Sequence, residues 1–165
     1  EDNASITAPE IKAKCRRLAS QPNGLGLVVI DYLQLVTTGS NRVESRQVEV
    51  SEISRAFKTM AMELQVPVIA LAQLSRSVDK RENKEPALVD LRESGSLEQD
   101  ADLVLFLNRK DYYEAKTEKK ESIVPIDVII AKHRKGSTGL YRLLFELNMS
   151  NFKNYLHAEN SNEGG

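Results

Sequence analysis

Two apolar runs with an amphipathic stretch between them fix the outline of this chain. Leu27 to Leu35 reads Leu-Val-Val-Ile-Asp-Tyr-Leu-Gln-Leu after a Gly24-Leu25-Gly26 lead-in, and Val66 to Gln73 reads Val-Pro-Val-Ile-Ala-Leu-Ala-Gln. Between them Ile53, Phe57, Met60, Ala61 and Leu64 share one face at helical spacing, the pattern of a helix that packs on a sheet. The first run is expected to be a strand reaching Asp31. The second is expected to be a strand ending in Gln73, with Pro67 tolerated near its start because that position need not donate to the ladder. Ligands of open α/β sheets collect where strands end in this way.

The remaining elements can be read from local patterning. Thr7 and Glu10 have capping-box spacing with Pro9 in the first turn, so a helix should come next with Ile11, Cys15, Leu18 and Ala19 on its buried stripe, ending near Asn23-Gly24. Thr37 to Glu44 is a polar connection. Ser75 to Pro86 is crowded with charge and lacks apolar periodicity, and is read as an exposed, mobile loop. Ala101 to Leu107 is expected to be a third buried strand, and Asp111 to Glu121 another charged connection. From Ile126 to Ala131 the pattern is strand-like, Gly136 to Gly139 is turn chemistry, and Tyr141, Leu143, Phe145 and Leu147 alternate. This predicts a β-hairpin with Lys132, His133, Arg134 and Lys135 at its tip. The class is therefore α/β: a mostly parallel sheet flanked by helices, with a C-terminal antiparallel hairpin. There is no internal repeat and no domain boundary, and residues 158–165 are read as a disordered tail.

Composition narrows the function classes. A length of 165 residues with 41% hydrophobic content suits one core. The net charge of −1 provides no global basic field, which leaves a locally basic face open. Cys15 is the only cysteine, so an internal disulfide is excluded, and Cys15, His133 and His157 do not make a conventional zinc cluster. Cys15 is read as a small buried residue. With no apolar run of about 18 residues and no secretory pattern at the start, a cytoplasmic setting is expected.

Phosphoryl transfer to water needs an acid that holds Mg²⁺, a polar group that orients water or senses the γ-phosphate, and a cation for the transition state. Asp31, Gln73 and Arg134 are of those three types. Each also has an ordinary reading, as a turn-opening acid, a strand cap or a solvated charge. In the segment Asp90 to Asp102, Gly95 and the small serines permit close backbone approach and Arg92 offers a phosphate-binding fork. Such a loop suits a nucleic-acid backbone without reading bases.

Val29 to Leu35, Val66 to Arg76, Asp90 to Asp102 and Ala131 to Arg134 closely resemble consecutive motifs of the bacterial replicative helicases, the DnaB family. The resemblance runs from about residue 6 to Phe152, in order and with similar intervals. It implies the C-terminal part of a RecA-like ATPase domain, over residues 1–157. The parent protein would form a homo-hexamer around single-stranded DNA, use ATP and Mg²⁺ for 5′ to 3′ movement, and meet primase and helicase loader. Asp31 matches the Walker B acid, which holds Mg²⁺, usually through water, and Gln73 the γ-phosphate sensor. Lys132 and Arg134 match the pair carried into a neighbouring subunit's site, Arg134 being the arginine finger. Arg92, Glu93 and Gly95 match the loop that grips DNA, with Gly95 contributing its amide and Glu93 shaping the loop. Ser137 stands where the family often has proline, and His133 lies between the two cations. No Gly-x-x-x-x-Gly-Lys-[Ser/Thr] occurs, since in Lys135-Gly136-Ser137-Thr138 the lysine precedes the glycine. The family's P-loop and its water-activating glutamate would lie upstream of Glu1, so this chain alone is expected to be inactive. The alternatives are a RecA-type recombinase or phage helicase, or a non-catalytic assembly or nucleic-acid-binding domain of the same fold.

Overall fold

The computed structural model describes residues 6–40, 45–74, 78, 81, 84–94, 96–110 and 122–155, with the side chains of 92–94 excepted. Its contacts divide the chain into two units, residues 1–82 with 87–101 and residues 83–86 with 102–165.

In the first unit, β1 (Ile6–Thr7) leads directly into α1 (Ala8–Ala19). Thr7 caps the helix: its Oγ1 accepts from the Glu10 amide at 3.3 Å, and Glu10 Oε2 accepts from the Thr7 amide at 2.9 Å. The helix ends at Ala19, short of the expected Asn23-Gly24, because Pro22 disfavours helical geometry in the residue before it. Turns closed by Gln21 and Gly24 continue the chain, Gly24 adopting φ +65°. Leu18, expected on the buried stripe, is 40% exposed. Cys15 is buried, and burial pushes its thiol pKa up, which makes it a packing residue.

β2 (Val28–Ile30) pairs in parallel with β4 (Val68–Ala70), and β1 pairs in parallel with β3 (Val36–Thr37). Between them runs α2 (Arg46–Leu64), capped by Ser45 and closed by Gln65 in the left-handed region. Ile53, Phe57 and Met60 are buried as the periodicity requires, while Ala61 and Leu64 lie at the margin. They join Leu33, Val36, Val50 and Cys15 in one core. β2 and β4 are both shorter than the apolar runs suggest, and Val29 and Ile69 face solvent. Within Ser75 to Pro86, read as an exposed loop, Val78 is buried and Arg81 donates to the buried Asp90 at 2.5 Å. A chain carrying an apolar anchor and an ion pair to a buried carboxylate is held down at those points.

The second unit is an antiparallel meander of β5 (Leu103–Asn108), β6 (Ile123–His133), β7 (Gly139–Glu146) and β8 (Asn151–Asn154), in that order. The expected hairpin is β6–β7, joined by two further strands. β5, expected to be buried throughout, alternates: Val104 and Phe106 are buried, whereas Leu103, Leu105 and Leu107 are 45%, 51% and 65% exposed. A strand with one covered face shows this period of two. Residues 111–121 and 158–165 lie outside the described residues.

Asp127 is buried in β6, where Arg142 of β7 donates to it at 2.8 Å and Lys110 lies 3.3 Å away. The Arg142 guanidinium holds its carboxyl below the usual aspartate range against the opposing effect of burial, and Lys110 helps. A depressed folded-state value stabilises above the unfolded pKa and is lost as pH falls through the folded one. Asp127→Asn is therefore expected to cost about 1–3 kcal/mol at neutral pH and to flatten the loss of stability below about pH 4, read as unfolding midpoint against pH. An unchanged acid limb would show that this pair contributes nothing.

Candidate functional site

The parallel ladder of β2 and β4 sets two chain ends side by side. Ile30 pairs with Ala70, the Leu71 amide donates to the Ile30 carbonyl at 2.9 Å and the Leu33 amide to the Leu71 carbonyl at 2.8 Å. Because the strands run the same way, the residues that succeed them emerge at the same rim. There Asp31, Tyr32, Leu71, Ala72 and Gln73 line a shallow cleft of about 330 Å³. Asp31 and Gln73, picked out from the ends of separate apolar runs, are thus walls of one site. Both are exposed, as groups that meet a soluble ligand must be.

Beneath the cleft the chain is pinned. Leu33 to Leu35 form a short 3₁₀ turn with Leu33 1% exposed. Gln34, which sequence reasoning missed, donates from Nε2 to the Gln73 carbonyl at 3.1 Å and accepts from the Gln73 amide through Oε1. Its own carbonyl accepts from Arg46 Nη2 at 2.7 Å. Arg46 also pairs with Glu49, which accepts from the Thr38 amide at 3.1 Å. Burial pushes the Glu49 carboxyl up, but the Thr38 amide and Arg46 together bring it below its ordinary value. A glutamine within an otherwise apolar Leu-Gln-Leu was the available signal.

The 3₁₀ helix Leu88–Ser94 includes the backbone of Arg92 and Glu93, whose side chains are not described, and Gly95 lies outside the described residues. Both flanks are anchored. Asp90 accepts from the Ala87 amide at 2.8 Å, and the Ser96 amide donates to Ser51 Oγ of α2 at 3.2 Å. Ser54 Oγ and Ser96 Oγ each donate to Asp100 Oδ2 at 2.7 Å. The segment between is a short span fastened to α2 at its far end.

In the second unit Lys132 sits in β6 opposite Val104, and Arg134 opens the turn after that strand. The Arg134 amide donates to the Asp102 carbonyl at 2.9 Å, fixing the backbone. Its side chain is 51% exposed and lies 3.6 Å from the equally open Asp102 carboxylate, a geometry that stabilises little. The His133 ring stands over Gly136, where a Cβ would come within 2.5 Å of ring atoms. The small residue lets the turn close beneath the imidazole.

The first of these sites offers one donor of the type that Mg²⁺ takes. Mg²⁺ is typically held by one or two carboxylates, with water and substrate phosphates completing its shell, and Asp31 is one carboxylate on an open cleft. Among the described residues no group of three acidic, His or Cys side chains stands close enough together to hold a metal ion. No described helix is long and apolar enough to cross a membrane.

The chain matches the family model described as DnaB-like helicase C terminal domain over residues 1–154. It is 53% identical over 154 residues to the replicative DNA helicase DnaB of Geobacillus stearothermophilus, and to the same degree to the replicative DNA helicase DnaC of Bacillus subtilis. Each match covers 93% of this chain and 33% of the relative. A solved DnaB-like replicative helicase, described with its interactions with primase, superimposes with a TM-score of 0.82 at 47% identity, covering 94% of this chain and 37% of that one. A solved ATPase domain gives the same TM-score and identity over 54% of its length. The chain spans about a third of the curated relatives it matches.

Proposed function

We propose, given that this chain belongs to the DnaB-like helicase C-terminal domain family and has its RecA-like α/β fold, that residues 1–157 are a section of an ATP-driven motor. The parent protein hydrolyses ATP with Mg²⁺ and moves 5′ to 3′ on single-stranded DNA as a homo-hexameric, cytoplasmic ring, meeting primase and a loader through its other parts. The observation that carries this reading is the shared rim of Asp31 and Gln73 on one cleft.

Asp31 would hold Mg²⁺, which when bound neutralises charge on the phosphates. Gln73 presents a neutral amide able to donate to a phosphate oxygen or orient water, and its main chain is fixed on both polar groups. Arg134, which opens the turn after β6, and Lys132, near the end of that strand, would supply cations to a neighbouring protomer's site. Arg92, with the backbone of Glu93 and Gly95, grips the DNA phosphates. This section lacks a Walker A sequence, so its own residues supply the metal, sensor and finger roles and leave the phosphate cradle to the parent protein.

The test uses the full-length parent protein. ATP hydrolysis is expected to rise on addition of single-stranded DNA. Arg92→Ala should weaken DNA binding alike across sequences and reduce the salt slope by about 1, as loss of one phosphate contact does. A wild type without DNA-stimulated hydrolysis would end the motor reading. A variant that loses only one base preference would end the backbone-grip assignment.

A further inference from the structure

We propose that Gln34 is the positioning residue for Gln73, and that Arg46 seats Gln34 from below. The inference rests on the reading of Gln73 as the group that faces the terminal phosphate. After Leu33 and Leu71 the ladder between the two chain segments stops, yet Gln73, two residues further on, must keep its orientation toward the cleft.

The Gln34 side chain supplies that continuation. Its carboxamide has an N–H donor and a C=O acceptor in one plane, and they meet the carbonyl and the amide of the same residue, Gln73, at 3.1 and 3.3 Å. A neighbouring strand would engage a peptide group in the same two-handed way. Leucine can make neither bond, and glutamate can accept from the Gln73 amide but sets a negative charge against its carbonyl.

Gln34 is itself constrained. Its carbonyl and that of Val36 both accept from Arg46 Nη2, at 2.7 and 3.2 Å. Arg46 is the first residue of α2 and is paired with the buried Glu49. The same helix holds Ser96 and Asp100 through Ser51 and Ser54, three turns or less from its start. Arg46 thereby ties Gln34 to the helix that also fastens the far flank of the Arg92 segment.

The experiment compares Gln34→Leu, Gln34→Glu, Gln73→Ala and the double variant Gln34→Leu with Gln73→Ala in the full-length protein. Steady-state ATP hydrolysis is measured with and without single-stranded DNA. Both Gln34 variants are expected to lower DNA-stimulated kcat about 10- to 100-fold, with KM for ATP changed by less than about 3-fold, because uniform binding is untouched. The double variant should be no slower than Gln73→Ala alone, as for residues acting as one unit. Should Gln34→Leu fail to fold, Gln34→Glu, which keeps the side chain's shape, carries the test. If Gln73→Ala slows hydrolysis and the Gln34 variants do not, the positioning role is overturned and the sensor reading stands. An unchanged rate in Gln73→Ala overturns both.

Discussion

On the proposed motor reading, Arg134→Ala in the complete protein is expected to lower ATP turnover by about 100-fold or more while leaving the proposed ring assembled, because a finger acts on charge that develops only in the transition state. The structure makes the change informative. The Arg134 backbone is fixed by Asp102, so truncation removes the guanidinium without releasing the turn. Its ion pair with Asp102 is long and solvent-exposed, so leaving it for a phosphate costs little. Arg134→Lys is expected to recover only part of the rate, since an ammonium lacks the planar fork. Oligomer state by sedimentation and kcat for ATP are the two measurements. A full rate in Arg134→Ala removes the finger assignment, and a dissociated ring would mean the side chain holds subunits together.

Leu33→Ala is expected to destabilise the protein by about 2–5 kcal/mol, the range for a truncated core leucine. Leu33 is 1% exposed and belongs to the core with Val36, Ile53 and Met60. It lies between Tyr32, which lines the cleft, and Gln34, which holds Gln73, so the void opens directly beneath the site. Leu35, two residues on, is 43% exposed, and Leu35→Ala should change stability by no more than about 0.5 kcal/mol. The lowered unfolding midpoint of the first against the second is the readout. Equal midpoints would show that the 3₁₀ turn is not anchored by its buried leucine.

What the sequence disclosed depended on how local the cause was. The capping box of α1 and the buried face of α2 were legible because partners three or four residues apart decide them. Asp31 and Gln73 were legible as polar ends of apolar runs, and parallel pairing then brought them together. Residue type alone suggested a cation in Arg134 and a phosphate-gripping loop around Arg92 and Gly95, but the arginine-finger role of Arg134 and the parts given to Lys132 and Glu93 came from the family resemblance, because a charged side chain has no local signature of its target. The exposed side of β5 was hidden because both faces carry apolar residues, Leu103, Leu105 and Leu107 against Val104 and Phe106, which masks the alternation. Gln34 escaped notice because its partner lies 39 positions along the chain.

That outward row of leucines has a practical consequence. β5 is an outer strand in the order of its sheet, and an outer strand with an exposed apolar face is a template onto which another polypeptide can add itself. Concentrated preparations of this stretch should therefore cloud with time, and charged replacements at Leu105 or Leu107 should keep them clear.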